Sequence, residues 1–134
     1  MPKNFNFTIV TPNGKKLADE CEILNVETTA GAMGVLSGHL PMVAILEIGT
    51  LNYVKNGKRY FVAVNGGVLN VKKDGVTVLA ESFETKEEID KERAEASMKR
   101  ANDRLESNDE SIDIERAKLS LKRAMNRLKI TTRD

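Results

Sequence analysis

The chain has 134 residues, a mass of 14.9 kDa and a formal net charge of +1. So even a charge balance argues against a general nucleic-acid coat, which needs a marked basic excess. One cysteine, Cys21, excludes an intramolecular disulfide framework and fits a reducing compartment. No apolar run approaches the ~18 residues of a membrane-spanning helix. The opening Met1-Pro2-Lys3-Asn4-Phe5 lacks the apolar stretch of a signal peptide, so a cytoplasmic location is expected.

Composition breaks sharply near Phe83-Glu84-Thr85. All nine glycines, three prolines and six aromatic residues lie at or before residue 84, whereas 25 of the 50 residues beyond it are Asp, Glu, Lys or Arg. The division predicts an α+β chain with two domains. Residues 1–84 form an N-terminal antiparallel β-sandwich, and residues 85–134 form a C-terminal antiparallel two-helix hairpin.

Alternating or apolar runs at residues 4–10, 22–28, 42–46, 50–54, 60–64, 68–71 and 76–80 read as strands. Turn signals separate them: Pro12-Asn13-Gly14, Asn56-Gly57, Asn65-Gly66-Gly67 and Lys73-Asp74-Gly75. Asn-Gly and Asp-Gly supply the positive φ angles of tight hairpins. Between residues 31 and 41, Gly31, Gly34, Gly38, His39 and Pro41 predict a shaped loop, because glycine permits positive φ or close backbone approach. His39 is the only histidine and Cys21 the only thiol, so a transition-metal site would have to be nearly all carboxylate. His39 reads better as a hydrogen-bonding turn residue, and Cys21 as a small buried side chain.

Thr85-Lys86-Glu87-Glu88 has the form of a capping box and predicts the start of the first helix. An apolar stripe follows at Ala94, Met98, Ala101 and Leu105. The second helix carries Ile114, Ala117, Leu121, Ala124 or Met125, and Leu128 on its own stripe. The two helices are copies: the 17 residues from Ile89 return 23 positions later from Ile112, with 11 identities. The polar stretch 106–111 connects them. Alanine buries little area, so the seam between the helices is expected to be weak and separable. Residues 85–111 carry six basic and nine acidic groups, and residues 112–134 seven basic and three acidic, which makes the second helix the basic one.

Arg93, Arg100 and Arg104 share one helix face, as do Arg116, Arg123 and Arg127. One reading is a solvated face with i,i+4 acidic partners. The other is an anion pocket, in which guanidinium forks from both helices hold phosphate oxygens. Neither a G-x-x-x-x-G-K-[ST] loop nor a G-x-G-x-x-G turn is present, so a phosphate ligand would be sensed and not hydrolysed.

Three stretches carry a resemblance that runs essentially from end to end. They are Gly31-Ala32-Met33-Gly34-Val35-Leu36-Ser37-Gly38-His39, Asn65-Gly66-Gly67-Val68-Leu69-Asn70-Val71 and Ile89-Asp90-Lys91-Glu92-Arg93-Ala94. In order and spacing the chain resembles the ε-subunit family of bacterial F-type ATP synthases, and its ending 121–128 is similar to the bacillus-type members. The resemblance implies a non-catalytic rotor subunit on the cytoplasmic face of the cell membrane, peripheral, reaching the membrane only through the complex and binding no nucleic acid. It implies that the sandwich contacts the γ subunit and the c-ring, through a loop that here carries Gly31, Met33, Gly34, Gly38 and His39. It further implies that the extended hairpin meets the α and β subunits and inhibits ATP hydrolysis. ATP, a regulatory ligand and not a required cofactor, would favour the folded hairpin. Its expected ligands are Glu84, Ile89, Asp90, Arg93, Ala94, Arg100, Arg123 and Arg127. Ala32 stands where the family commonly has glutamate, which removes a charged c-ring contact through that position. A free-standing nucleotide-binding sensor or adaptor is the alternative. An enzyme ranks last, because no nucleophile–base pair or metal cluster is apparent.

Overall fold

A computed structural model describes residues 3–133; Met1, Pro2 and Asp134, at the outer ends of the two expected domains, lie outside the described residues. Eight strands precede the helices: β1 (Phe5–Val10), β2 (Lys16–Cys21), β3 (Ile23–Thr28), β4 (Gly31–Leu36), β5 (Met42–Lys55), β6 (Lys58–Lys72), β7 (Gly75–Ala80) and β8 (Phe83–Thr85). They follow the order β2-β1-β7-β6-β5-β3-β4, and β8 shares an edge of β6 with β7. Pairing is antiparallel throughout except between β1 and β7, which run parallel, so the sheet is mixed where a wholly antiparallel one was expected.

Four runs read as separate strands are two long ones. Residues 42–46 and 50–54 fuse into β5, and residues 60–64 and 68–71 into β6. Asn65-Gly66-Gly67 is accordingly no turn between strands; it creases the middle of β6. Inward positions of β5 are Leu46, then Leu51 and Tyr53; those of β6 are Val62 and Val64, then Leu69 and Val71. On both strands the inward phase switches from even to odd along the chain, at the level of the Leu46–Gly67 and Ile48–Asn65 pairs. The switch lets both halves of one hairpin face a single core, shared with Phe7, Ile9, Leu24, Val35 and Val78. Gly66 and Gly67 take φ of 83° and 143°, and a Cβ on Gly67 would stand 2.2 Å from the Leu79 carbonyl oxygen. Only glycine fits there.

Two edge strands escaped the sequence reading. In β2, Lys16 to Cys21 is charged and half-buried, as an edge strand can afford to be. The glycine-rich stretch from Gly31 forms β4, paired with β3 along its length; only residues 37–41 remain as the turn into β5. Cys21 is fully buried, and burial pushes its thiol up to about 12, so it packs as an apolar side chain.

The capping box at Thr85 holds only a short 3-10 helix, Lys86–Glu88; the first α-helix begins later. That helix, α1 (Lys91–Glu106), is capped by Asp90, whose carboxylate accepts the Arg93 N–H at 3.1 Å. The second, α2 (Ile114–Thr131), is capped identically by Asp113 on the Arg116 N–H, at 3.1 Å. The repeated Ile-Asp-x-x-Arg-Ala is therefore first a helix-starting motif. Its alanine begins the seam, where Ala94 and Ala101 meet Ala117 and Ala124, all buried. Ala124, not Met125, takes the seam position, and Ile114 lies outside it, 55% exposed at the first turn of α2. Four buried methyl groups at about 0.8 kcal/mol each contribute roughly 3 kcal/mol, little for two helices of this length.

The hairpin joins the sandwich at a hinge held by charge. The Lys15 ammonium, on the β1–β2 turn, donates to the Phe83 carbonyl at 2.8 Å, pairs with Glu88 at 2.9 Å and sits 4.6 Å from the Phe83 ring centre. The other Glu88 oxygen accepts the Thr85 N–H and hydroxyl. These bonds, that from Lys15 first, hold the Glu88 carboxyl below its ordinary 4.5. α2 lies back on β5 and β6, burying Ile130 against Phe61, Ala63 and Ile89.

Two measurements test this frame. Gly67→Ala should lose roughly 1–3 kcal/mol by overpacking, more with the backbone strain added; an unchanged urea midpoint would contradict the crease. Glu88 has a depressed folded-state pKa, so its contribution is complete above 4.5 and disappears as pH falls through the lower, folded value. The melting temperature of the wild type should exceed that of Glu88→Gln at pH 7 and converge on it in acid. A gap that persists undiminished into strong acid would show that Glu88 does not clamp the hinge.

Candidate functional site: a hinge cleft and an apolar face

The end of β8, the start of α1 and the C-terminal part of α2 converge on a cleft of about 260 Å³, lined by Glu84, Glu88, Asp90, Arg93, Ala94, Ser97 and Arg127. Five of the eight expected ligand positions lie in it: Glu84, Asp90, Arg93, Ala94 and Arg127. Local structure explains each placement. Glu84 ends β8, Asp90 caps α1, and Arg93 and Ala94 occupy its first turn. Arg127 arrives because Ile130, one turn further along α2, is pinned under Phe61 and Ile89.

The other three stand outside the lining. Ile89 packs beneath the hinge in the small apolar cluster with Ile130. Arg100 reaches the cleft through Ser97, donating to its hydroxyl at 3.0 Å. Arg123 is half-buried on α2, one turn before Arg127. Glu88 and Ser97 line the cleft and were not anticipated. Ser97 was findable, since positions 90, 93, 97 and 100 form one helical stripe.

The three carboxylates of the cleft are already engaged. Glu84 pairs with Arg127, Glu88 with Lys15 and Thr85, and Asp90 with the Arg93 N–H. Arg93, Arg100 and Arg123 form no ion pair among the described residues. The cleft thus offers the free Arg93 guanidinium of α1 and the Glu84-paired Arg127 of α2 beside carboxylates able to accept N–H or O–H groups. Its one hydroxyl with nucleophilic potential, Ser97, accepts from Arg100 and lines the cleft without histidine or lysine beside it, which is a binding arrangement.

The expected contact loop is divided by β4. Gly31, at φ 118°, opens the strand, and Gly38, at φ 83°, lies in the turn after it. The strand separates its ends by about 17 Å. Met33 packs towards the sandwich core, and Gly34 lies against Asn25, its added Cβ 3.1 Å from the amide oxygen. His39 is a turn residue: its N–H donates to the Leu36 carbonyl at 3.1 Å, and its ring Nδ1 to the Leu40 carbonyl at 2.9 Å. Gly31 and Met33 instead border a groove of about 450 Å³ with Met42, Val43 and Ile45. The groove continues into a bare apolar row in which Ile45, Val68 and Leu79 stand opposite one another on β5, β6 and β7. Val43, Ile45 and Leu79 are each more than half exposed, at 65%, 60% and 52%. Such a contiguous patch marks an interaction surface. Among the described residues, no helix is long and apolar enough to cross a membrane.

Residues 4–86 match the family described as the β-sandwich domain of the ATP synthase delta/epsilon chain, and residues 87–132 match its long α-helix domain. The ATP synthase epsilon chain of Bacillus subtilis is 46% identical over 105 residues, 78% of this chain and 80% of that protein. That of Staphylococcus haemolyticus is 46% identical over 106 residues, covering 78% and 79%. A chain from the Euglena gracilis mitochondrial ATP synthase shares the fold at a TM-score of 0.79 and 23% identity, with 94% of this chain and 80% of that one covered. A chain from the Tetrahymena thermophila mitochondrial enzyme does so at 0.58 and 16%, with 96% of each covered. The free arginines and the bare apolar row thus sit on a non-catalytic scaffold, and the chain belongs to the delta/epsilon chain family of ATP synthases, among its epsilon chains.

Proposed function

We propose that the chain is a regulatory rotor subunit whose hinge cleft senses ATP. The carrying observation is that Arg93 of α1 and Arg127 of α2 line one cleft at the hinge, with Arg100 bonded to its Ser97 and Arg123 one turn before Arg127 on α2. Phosphate oxygens suit the guanidinium groups, while Glu84 and Asp90 suit the amine and hydroxyl donors of a nucleoside. A ligand held by both helices is lost when α2 leaves, so it stabilises the folded hairpin by its full binding free energy in that state. Without it, α2, with a net charge of +4 over residues 112–134, is free to seek an acidic surface on the α and β subunits and obstruct hydrolysis. The apolar row at Ile45 and Leu79 suits the γ subunit, and the turn at Gly38 and His39 the c-ring. In this reading the chain works peripherally, on the cytoplasmic face of the membrane. The match of both domains to one family supports a component of that complex over a free-standing sensor.

Titration of the full chain with ATP should give saturable binding. Arg93→Ala, Arg100→Ala and Arg123→Ala should each weaken it roughly tenfold or more, as expected for a charged hydrogen bond. No saturation at millimolar ATP, with the variants indistinguishable from wild type, would sink the sensing role. Added to a catalytic head lacking it, the chain should lower hydrolysis at low ATP, and an Ile45→Asp/Leu79→Asp double variant should neither co-purify with the head nor inhibit it. Unchanged hydrolysis with the wild-type chain bound would remove the inhibitory role.

A further inference from the structure

The two helix copies differ at six of their 17 aligned positions, and one difference coincides with the contact between α2 and the sandwich. α1 has Asp103, exposed and paired with Lys99 at 3.1 Å. The corresponding residue of α2 is Asn126, which is half-buried against β5. Its amide nitrogen donates to the Gly49 carbonyl at 2.9 Å, and its amide oxygen accepts the Thr50 hydroxyl at 3.1 Å. A carbonyl only accepts, so chemistry fixes the amide orientation. The strand is prepared for this contact. Glu27 of β3 accepts the Thr50 N–H at 3.0 Å, and its carboxylate crosses Gly49 so closely that a Cβ there would stand 1.7 Å from it. β3 and β5 slip register between Asn25 and Thr28, alongside the Gly49-Thr50 step whose carbonyl accepts from the helix.

We propose that Asn126 with Gly49 and Thr50 is a positioning latch that sets how often α2 leaves the sandwich, independently of ligand at the hinge cleft. The inference rests on the reading that the hairpin has a folded and an extended state. The latch acts beside other contacts of α2 with the sandwich, the burial of Ile130 on Phe61 and Ala63, the Arg127–Glu84 pair and the solvent-exposed Lys122–Glu47 pair at 3.4 Å, and it is the one that bonds α2 to the middle of β5. Aspartate at 126 would still accept from the Thr50 hydroxyl but would set a carboxylate oxygen against the Gly49 carbonyl, replacing one hydrogen bond by a repulsion. That change is the one that separates α1 from α2 at this position, so the helical surface is compatible with either residue.

The latch is testable in the full chain without nucleotide, by electron–electron distance measurement between spin labels at Asp74→Cys on the β6–β7 turn and Lys118→Cys on α2. Both sites are exposed, and Cys21 is buried. Asn126→Asp and Thr50→Val should each raise the ratio of long to short distances, by roughly five- to thirtyfold for the first, in which the Gly49 carbonyl loses its donor and faces a carboxylate instead. Thr50→Ser, which keeps the hydroxyl, and Asp103→Asn, the reciprocal change on α1, should match wild type. The apparent ATP dissociation constant should rise in inverse proportion to the remaining closed fraction. Wild-type distances in both Asn126→Asp and Thr50→Val, or an equal shift in Thr50→Ser, would overturn the proposal. Opened variants that ATP fails to close would leave the latch standing and remove ATP sensing; unchanged distances with normal ATP closure would do the reverse.

Discussion

Everything outside the sandwich core depends on the reversal of side-chain phase in the β5–β6 hairpin. A strand of 14 or 15 residues with one uninterrupted phase would turn all its inward residues to one side. The crease at Gly66-Gly67 instead gives each half a different outer face. One half shows Phe61, Ala63 and the Gly49-Thr50 step, and α2 covers it. The other half shows Val43 and Ile45, continued by Leu79 of β7, and nothing among the described residues covers them. The same backbone device thus creates an intramolecular dock and a free apolar surface, and keeps them apart.

The two halves of the chain are held by different physics. The sandwich core is Val, Leu, Ile and Phe, each worth about 1.5–3 kcal/mol when fully buried. The hairpin is held by alanine methyls, a two-bond amide contact, one partly buried ion pair and a small cluster around Ile130. Exposed or half-exposed ion pairs contribute little each. The helices themselves need no such support, since no glycine or proline interrupts them. Moving α2 away therefore costs a few weak contacts and leaves both the strands and the helices intact.

Some of this was legible in the sequence and some was not. The break at residue 84 marked where strands give way to helices, because glycine and aromatic residues stop there. The helix repeat announced the hairpin, and the alanines announced its seam. The arginine stripes could not say which guanidinium would face the cleft, because a helical face has no direction until another element packs on it; Ile130 decided that for Arg127. Glycine-rich stretches were the least legible. The same positive φ that closes a turn also creases a strand, so Asn65-Gly66-Gly67 looked like a turn although it lies in mid-strand. The stretch from Gly31 looked like a loop because an edge strand needs no inward residue at every second position. Capping was misplaced by a few residues, since Thr85 and Asp90 both begin helical turns and only the second begins the long one.

The position of the cleft follows from where leverage is greatest. Residues 107–113 tether α1 to α2 at one end, so a ligand bridging the helices there would hold together groups that the chain already keeps close. At the opposite end nothing covalent joins the start of α1 to the last turns of α2, and separation is widest when the hairpin opens. Asp90, Arg93 and Arg127 meet at that open end, next to Glu84 on the sandwich, so a ligand there would touch both helices and the sandwich. Arg127 already has Glu84 as partner. An anion entering the cleft must share or replace that pair, so its gain is the difference between two ionic contacts and not the whole of one. A site built this way binds more weakly than the same arginines would in isolation, and its occupancy changes only when the anion is abundant, which suits a sensor of concentration.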